Sequence, residues 1–163
     1  MKILLAIVVA GAVVAALYLL PARSAQASAD APAKSAAAES AWLTDPAVAL
    51  AQAKAEGKTL LMDFTGSDWC VWCQRLDSEV FAKPEFAAYA KEKLVLLKLD
   101  FPRSVPQSAE IKARNRKLLE QYGVEGFPTI IVLDSGGSKI GELGYLPGGP
   151  SAWLAELKKI TKG

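Results

Sequence analysis

Apolar residues are distributed along this chain in three different ways. After Met1 and Lys2, an unbroken uncharged run extends from Ile3 to Leu20. From Pro21 to Ala41 large apolar side chains are absent, and Ala, Ser and Pro dominate. From Trp42 onward, short apolar runs alternate with segments of helical spacing, and this last part predicts the fold.

Thr44-Asp45-Pro46 offers a capping oxygen and then a proline in the first turn, so a helix is expected over Ala47 to Glu56, closed by Gly57. Thr59 to Phe64 is a short apolar run bounded by Gly57 and Gly66, which suggests a buried strand. From Cys70, apolar residues recur at Cys73, Leu76 and Val80, with Phe81 beside them, as on one face of a helix. Pro84 should kink or interrupt that helix, with Glu85 to Lys93 as its second part. Leu94 to Leu99 is a second strand, Ala109 to Tyr122 a helix ended by Gly123, and Thr129 to Leu133 a β-branched strand. The turn Asp134 to Ser138 leads into a returning strand, Lys139 to Tyr145, weakened by Gly141 and Gly144. Ser151 to Lys162 closes the chain as an amphipathic helix with Trp153, Leu154, Leu157 and Ile160 on one side. The order helix, strand, helix, strand, helix, strand, strand, helix implies an α/β fold. A mostly parallel sheet is covered on both faces, and the late hairpin adds an antiparallel edge.

The segments before Trp42 read differently. A basic start, an apolar stretch and small-residue sites at Ala25 to Ala27 or Ala27 to Ala29 match a secretory signal peptide over residues 1–27. An N-terminal membrane anchor is the other reading, because the run approaches the length of a span. Either one places the rest of the chain in the periplasm or another extracytoplasmic compartment, with Lys2 on the inner side. Residues 28–41 cannot bury enough surface to offset their ordering entropy and read as a flexible linker. Residues 42–163 form the domain.

Charge and cysteine content narrow the chemistry. Nineteen basic residues face 17 acidic ones, and Lys2 and Arg23 would leave with the leader. A near-neutral body argues against nucleic acid, which needs a clustered basic excess. The cluster Lys112, Arg114, Arg116 and Lys117 reads as a solvated helix face. With no histidine and two cysteines, the chain offers no His-based triad, no haem attachment motif and too few ligands for zinc. No metal or cofactor is expected.

Both cysteines lie in Trp69-Cys70-Val71-Trp72-Cys73, where a strand and a tight turn feed a helix. Unpaired N–H groups and the helix dipole favour negative charge there, so Cys70 is expected as a reactive thiolate. Cys73, one turn further in and more buried, is placed to resolve what Cys70 captures. A structural bridge across so short a loop would stabilise little. Trp69 and Trp72 would give a polypeptide substrate a flat apolar surface, with partial burial in the core as the alternative.

These residues resemble the thioredoxin superfamily. The resemblance rests on Leu61 to Phe64, Trp69 to Cys73, and Tyr122 to Val132, and it covers about Trp42 to Ile160. Gly66 to Cys73 together with Leu76 to Phe81 is similar to exported bacterial thioredoxin-like proteins and to the C-terminal domain of the periplasmic thiol:disulfide interchange reductase. The resemblance implies a thioredoxin-like central mixed sheet with helices on both faces. It implies that Pro128 is a cis-proline facing the cysteines, whose neighbours Phe127 and Thr129 help bind substrate. It also implies that Asp63 is a buried acid moving a proton for the resolving thiol. The segment Thr65 to Trp69 is one residue longer than in ordinary thioredoxins, which makes Asp68 a competing acid. Val71-Trp72 stands where strong oxidants have a histidine, which leans towards reduction.

The expectation is an extracytoplasmic thiol–disulfide oxidoreductase that reduces protein disulfides, with polypeptides bearing disulfides or thiols as substrates. A membrane-embedded redox partner would re-reduce it. An oxidase or isomerase is the alternative within the same chemistry. A non-catalytic binding module on the same fold is the alternative outside it.

Overall fold

The computed structural model describes residues 41–161. The expected leader (1–27) and the expected linker (28–41), except for Ala41, lie outside the described residues. No helix among the described residues is long and apolar enough to cross a membrane.

The first element is one that the apolar pattern does not reveal. Trp42–Leu43 forms a two-residue strand, β1, before the expected helix. In α1 (Pro46–Glu56), the Asp45 carboxylate accepts the N–H groups of Ala47 and Val48 at 2.8 and 3.1 Å, and Gly57 closes the helix at φ +64°. Strand β2 (Thr59–Thr65) follows. Helix α2 (Val71–Leu76) continues as a π-helical turn, Asp77–Phe81, in which the Ala82 N–H reaches back to Asp77 O at 2.8 Å. Pro84 does more than kink this helix. Proline disfavours helical backbone at the residue before it, and Lys83 is extended at φ −86°, ψ 143°. The chain therefore breaks and restarts as α3 (Pro84–Lys93). The remaining elements are β3 (Leu94–Asp100), α4 (Ala109–Tyr122), β4 (Thr129–Leu133), β5 (Lys139–Leu143) and α5 (Gly149–Thr161).

The sheet order is β1-β3-β2-β4-β5. The three strands from the first half run parallel, and β4 and β5 are each antiparallel to the neighbour before them. The sheet is thus evenly mixed, where alternation of strands and helices predicts a mostly parallel one. The reason is topological: β4 pairs with β2 in the opposite sense and β5 turns back beside β4, so both pairings of the hairpin are antiparallel while β4 alone runs against the other strands.

Alternation along β2 divides the core. Leu60, Met62 and Phe64 face α1, with Val95, Leu97, Leu99 and Ile131 around them. Leu61 faces the other way, with Leu76, Val80, Phe81, Phe86 and Trp153. Trp153 is fully buried, and its indole N–H donates to Gly144 O at 3.0 Å. Because side chains alternate with period two, Asp63 shares the face of Leu61, which is the face that carries α2. Gly141 does not merely weaken β5. A Cβ there would lie 2.7 Å from Ile160 Cγ2, so its bareness lets α5 pack close to the strand.

Candidate active site

Between the end of β2 and the start of α2, residues Gly66 to Cys70 must turn the chain from sheet into helix. Gly66 O accepts the N–H groups of Trp69 and Cys70 at 3.2 and 2.8 Å, which tightens the turn. The Trp69 indole folds back over Gly66, and a Cβ at Gly66 would lie 2.5 Å from Trp69 Cε2. Cys70 caps the helix in extended conformation, and its Sγ accepts the Cys73 N–H at 3.2 Å. Cys73 lies in the first turn, 5.2 Å away between Cα atoms, and a disulfide joins the two. In this oxidised form both are covered, Cys70 at 6% exposure and Cys73 at 4%, so the expected difference in burial is slight.

The lengthened turn has a visible purpose. Ser67 donates its N–H and hydroxyl to the Asp100 carboxylate at 2.9 and 2.7 Å. Asp68 accepts the backbone N–H groups of Arg103 and Ser104 at 3.0 and 2.6 Å. The Trp69 indole N–H donates to Phe101 O at 2.8 Å. Three successive residues before Cys70 are thus tied to the end of β3 and the loop that follows it. The hydrogen bonds from Arg103 and then Ser104 hold the Asp68 carboxyl below the usual carboxylate range. As an anion already committed to that loop, Asp68 is a poor competitor for moving protons.

Asp63 has the opposite environment. It is buried, and its Oδ1 finds no hydrogen-bond partner among the described residues. Burial pushes its pKa up to about 7, against the attraction of Lys98, while Asp77 and Asp100 push the same way as burial. Lys98 is the register partner of Asp63 across β2 and β3 and lies on the same face.

A third segment reaches the site from β4. The Phe127–Pro128 peptide bond is cis. Thr129, at the start of β4, donates its hydroxyl to Gly126 O at 2.8 Å. Phe127 meets Trp69 edge-on at 5.8 Å and stacks on Phe101 at 5.1 Å. Trp69 is therefore half-buried among aromatic side chains, whereas Trp72 is 51% exposed. An open groove of about 640 Å³ is lined by Trp72, Arg75, Phe127, Pro128, Tyr145 and Pro147. Its far wall is fixed by Glu79, which accepts Arg75 Nε–H at 3.1 Å and the Tyr145 hydroxyl at 2.7 Å. The Arg75 guanidinium lies over the Trp72 and Tyr145 rings at 5.3 and 5.7 Å.

The structure thus brings Trp72, Phe127 and Pro128 to one groove beside the cysteine turn and sets Asp63 on the sheet face under α2. Sequence reasoning missed Lys98, Arg75, Glu79, Phe101 and Arg103. Only the Arg75 and Glu79 pair carries a local signal, an i,i+4 spacing. The others depend on partners more than thirty residues away.

Residues 46–160 match the model of the thioredoxin-like domain. The chain is 35% identical over 116 residues to disulfide bond reductase DsbH of Chlamydia pneumoniae, a match that covers 71% of this chain and 70% of that protein. It is 42% identical over 82 residues to thiol:disulfide interchange protein DsbD 2 of Pseudomonas aeruginosa, where the match takes in 50% of this chain and 12% of that much longer protein. A solved DsbH oxidoreductase superposes with a TM-score of 0.70 at 34% identity, over 74% of this chain and 83% of that one. Sequence and architecture agree over the same span, and the chain belongs to the thioredoxin-like family as a homologue of the DsbH and DsbD thiol:disulfide oxidoreductases.

Proposed function

We propose that this chain reduces disulfides in polypeptides outside the cytoplasm, with Cys70 as the attacking thiolate and Cys73 as the resolving one. The observation that carries the reading is the Cys70–Cys73 disulfide at the junction of turn and helix, beside an open aromatic groove. In the reduced chain, the Cys70 thiolate attacks one sulfur of a substrate disulfide, and the other substrate sulfur leaves as a thiolate. Cys73 then loses its proton and attacks the Cys70 sulfur. The second substrate sulfur is released and the Cys70–Cys73 bond forms, so two electrons have passed to the substrate. A protein dithiol, membrane-embedded in this reading, returns those electrons by the same exchange in reverse.

The remaining residues serve these steps. Asp63, with a pKa of about 7, is substantially ionised at neutral pH and suited to take the Cys73 proton. Trp69 and Trp72 present apolar surface to the polypeptide, and the backbone on either side of cis-Pro128, at Phe127 and Thr129, pairs with it.

Three measurements test this. Cys73→Ser should accumulate a mixed disulfide between Cys70 and substrate, visible as added mass that a thiol reductant removes. Cys70→Ala retaining full activity would favour a binding module instead. Titration of the wild-type pair against glutathione should give a potential nearer about −270 mV, the thioredoxin value, than about −120 mV, that of a strong oxidant. A potential at the oxidising end would reverse the assigned direction.

A further inference from the structure

Arg103 differs from the other cation beside the cysteine turn. Arg75 is bound to Glu79, but the Arg103 guanidinium has no ion pair or hydrogen bond among the described residues. It lies instead with its carbon 3.8 Å from the centroid of the Trp69 ring, next to Cys70. Stacking uses the face of a guanidinium and leaves its N–H edges free, which is the geometry that grips a carboxylate in the bidentate manner. The backbone beneath is fixed by Asp68 and by the Trp69 indole. Asp68, the acid of this loop contact, has its oxygens taken by the backbone N–H groups of Arg103 and Ser104. Exposed apolar side chains also occur in the adjoining segments: Val71 and Trp72 in the helix start and Val105 two residues further along the loop.

We infer that Arg103 selects polypeptides that carry a carboxylate beside their reactive cysteine. The carboxylate docks on the guanidinium edge, and neighbouring apolar residues of the partner meet Val71 and Trp72. The inference rests on Cys70 being the attacking sulfur. A rim charge of this kind acts mainly on the rate of encounter and on its salt dependence.

The test uses the reduced full chain and three disulfide-bonded peptides that differ only in having Asp, Asn or Lys beside the cysteine. At low ionic strength the Asp peptide should be reduced about fivefold faster than the Lys peptide, the scale of one exposed ion pair. The ratio should fall towards one in 1 M salt, where the screening length is about 3 Å. Arg103→Gln should bring the ratio to about one at low salt, Arg103→Glu should invert it, and Arg103→Lys should keep part of it. An unchanged ratio in Arg103→Gln overturns the inference. So does a uniform change for all three peptides, which would mark a purely structural role under Trp69. A wild-type ratio of one with rapid reduction overturns it while leaving the redox reading intact, whereas no reduction of any peptide overturns both.

Discussion

Replacing Asp63 by Asn separates the energetic burden of the buried acid from its chemistry. Asn has nearly the same shape and no titration. In the folded chain Asp63 titrates at about 7, because burial penalises its charged form. In the unfolded chain it should titrate near about 3.9. The folded state therefore holds its proton more tightly, and wild-type stability declines as pH rises from about 4 to about 7. Three units at about 1.36 kcal/mol each give a loss of about 4 kcal/mol, complete above pH 7. The other carboxylates titrate in both proteins and cancel in the comparison. At pH 3 the two proteins should be equally stable, and at pH 8 Asp63→Asn should be the more stable by about 4 kcal/mol. With a urea slope of about 2 kcal/mol per molar, that is a midpoint shift of about 2 M. Urea unfolding of the oxidised proteins followed by circular dichroism, at pH steps from 3 to 8, measures the gap directly. A gap that stays constant with pH would refute a buried, high-titrating carboxyl. The same variant should resolve mixed disulfides more slowly, so stability and turnover should move in opposite directions.

Three further perturbations address the scaffold. Gly141→Ala should cost about 1–3 kcal/mol through overpacking against Ile160, and Ile160→Ala in the same chain should recover part of it, as read from denaturant midpoints. Asp68→Ala should release the loop after β3, raising amide hydrogen exchange at Arg103 and Ser104 while leaving exchange in α5 unchanged. Glu79→Gln should loosen the groove wall by weakening the contacts to Arg75 and Tyr145, and it should raise KM for a peptide disulfide more than it lowers kcat.

The parts of this architecture that were legible from residues alone are those with a local cause. Asp45 and Pro46 announce α1, the β-branched run marks β4, and the strand–turn–helix around Cys70 places the thiols. What escaped depends on distant partners or on elements too short for a period. Trp42–Leu43 becomes a strand because Leu96 and Leu97 lie beside it, and two residues carry no alternation. The widening of α2 at Asp77 follows from packing and from the restart at Pro84, and apolar spacing registers only a continuous face. The extra residue before Cys70 was visible as a departure, but its hydrogen bonds to Asp100 and Arg103 were not. Asp63 was expected as a buried acid from the resemblance, and its lack of a hydrogen-bond partner emerged only once the sheet and α2 enclosed it.

The surroundings of the sulfurs are assembled from three stretches far apart in sequence: the turn before α2, the loop after β3 and the residues leading into β4. A chain made from its N-terminus presents both thiols long before Phe127 and Pro128 exist. Until the second half arrives and docks, Cys70 and Cys73 lack the Phe127 and Pro128 side of their surroundings. The aromatic frame beside the pair is therefore a late product of folding, complete only once residues separated by nearly sixty positions have met.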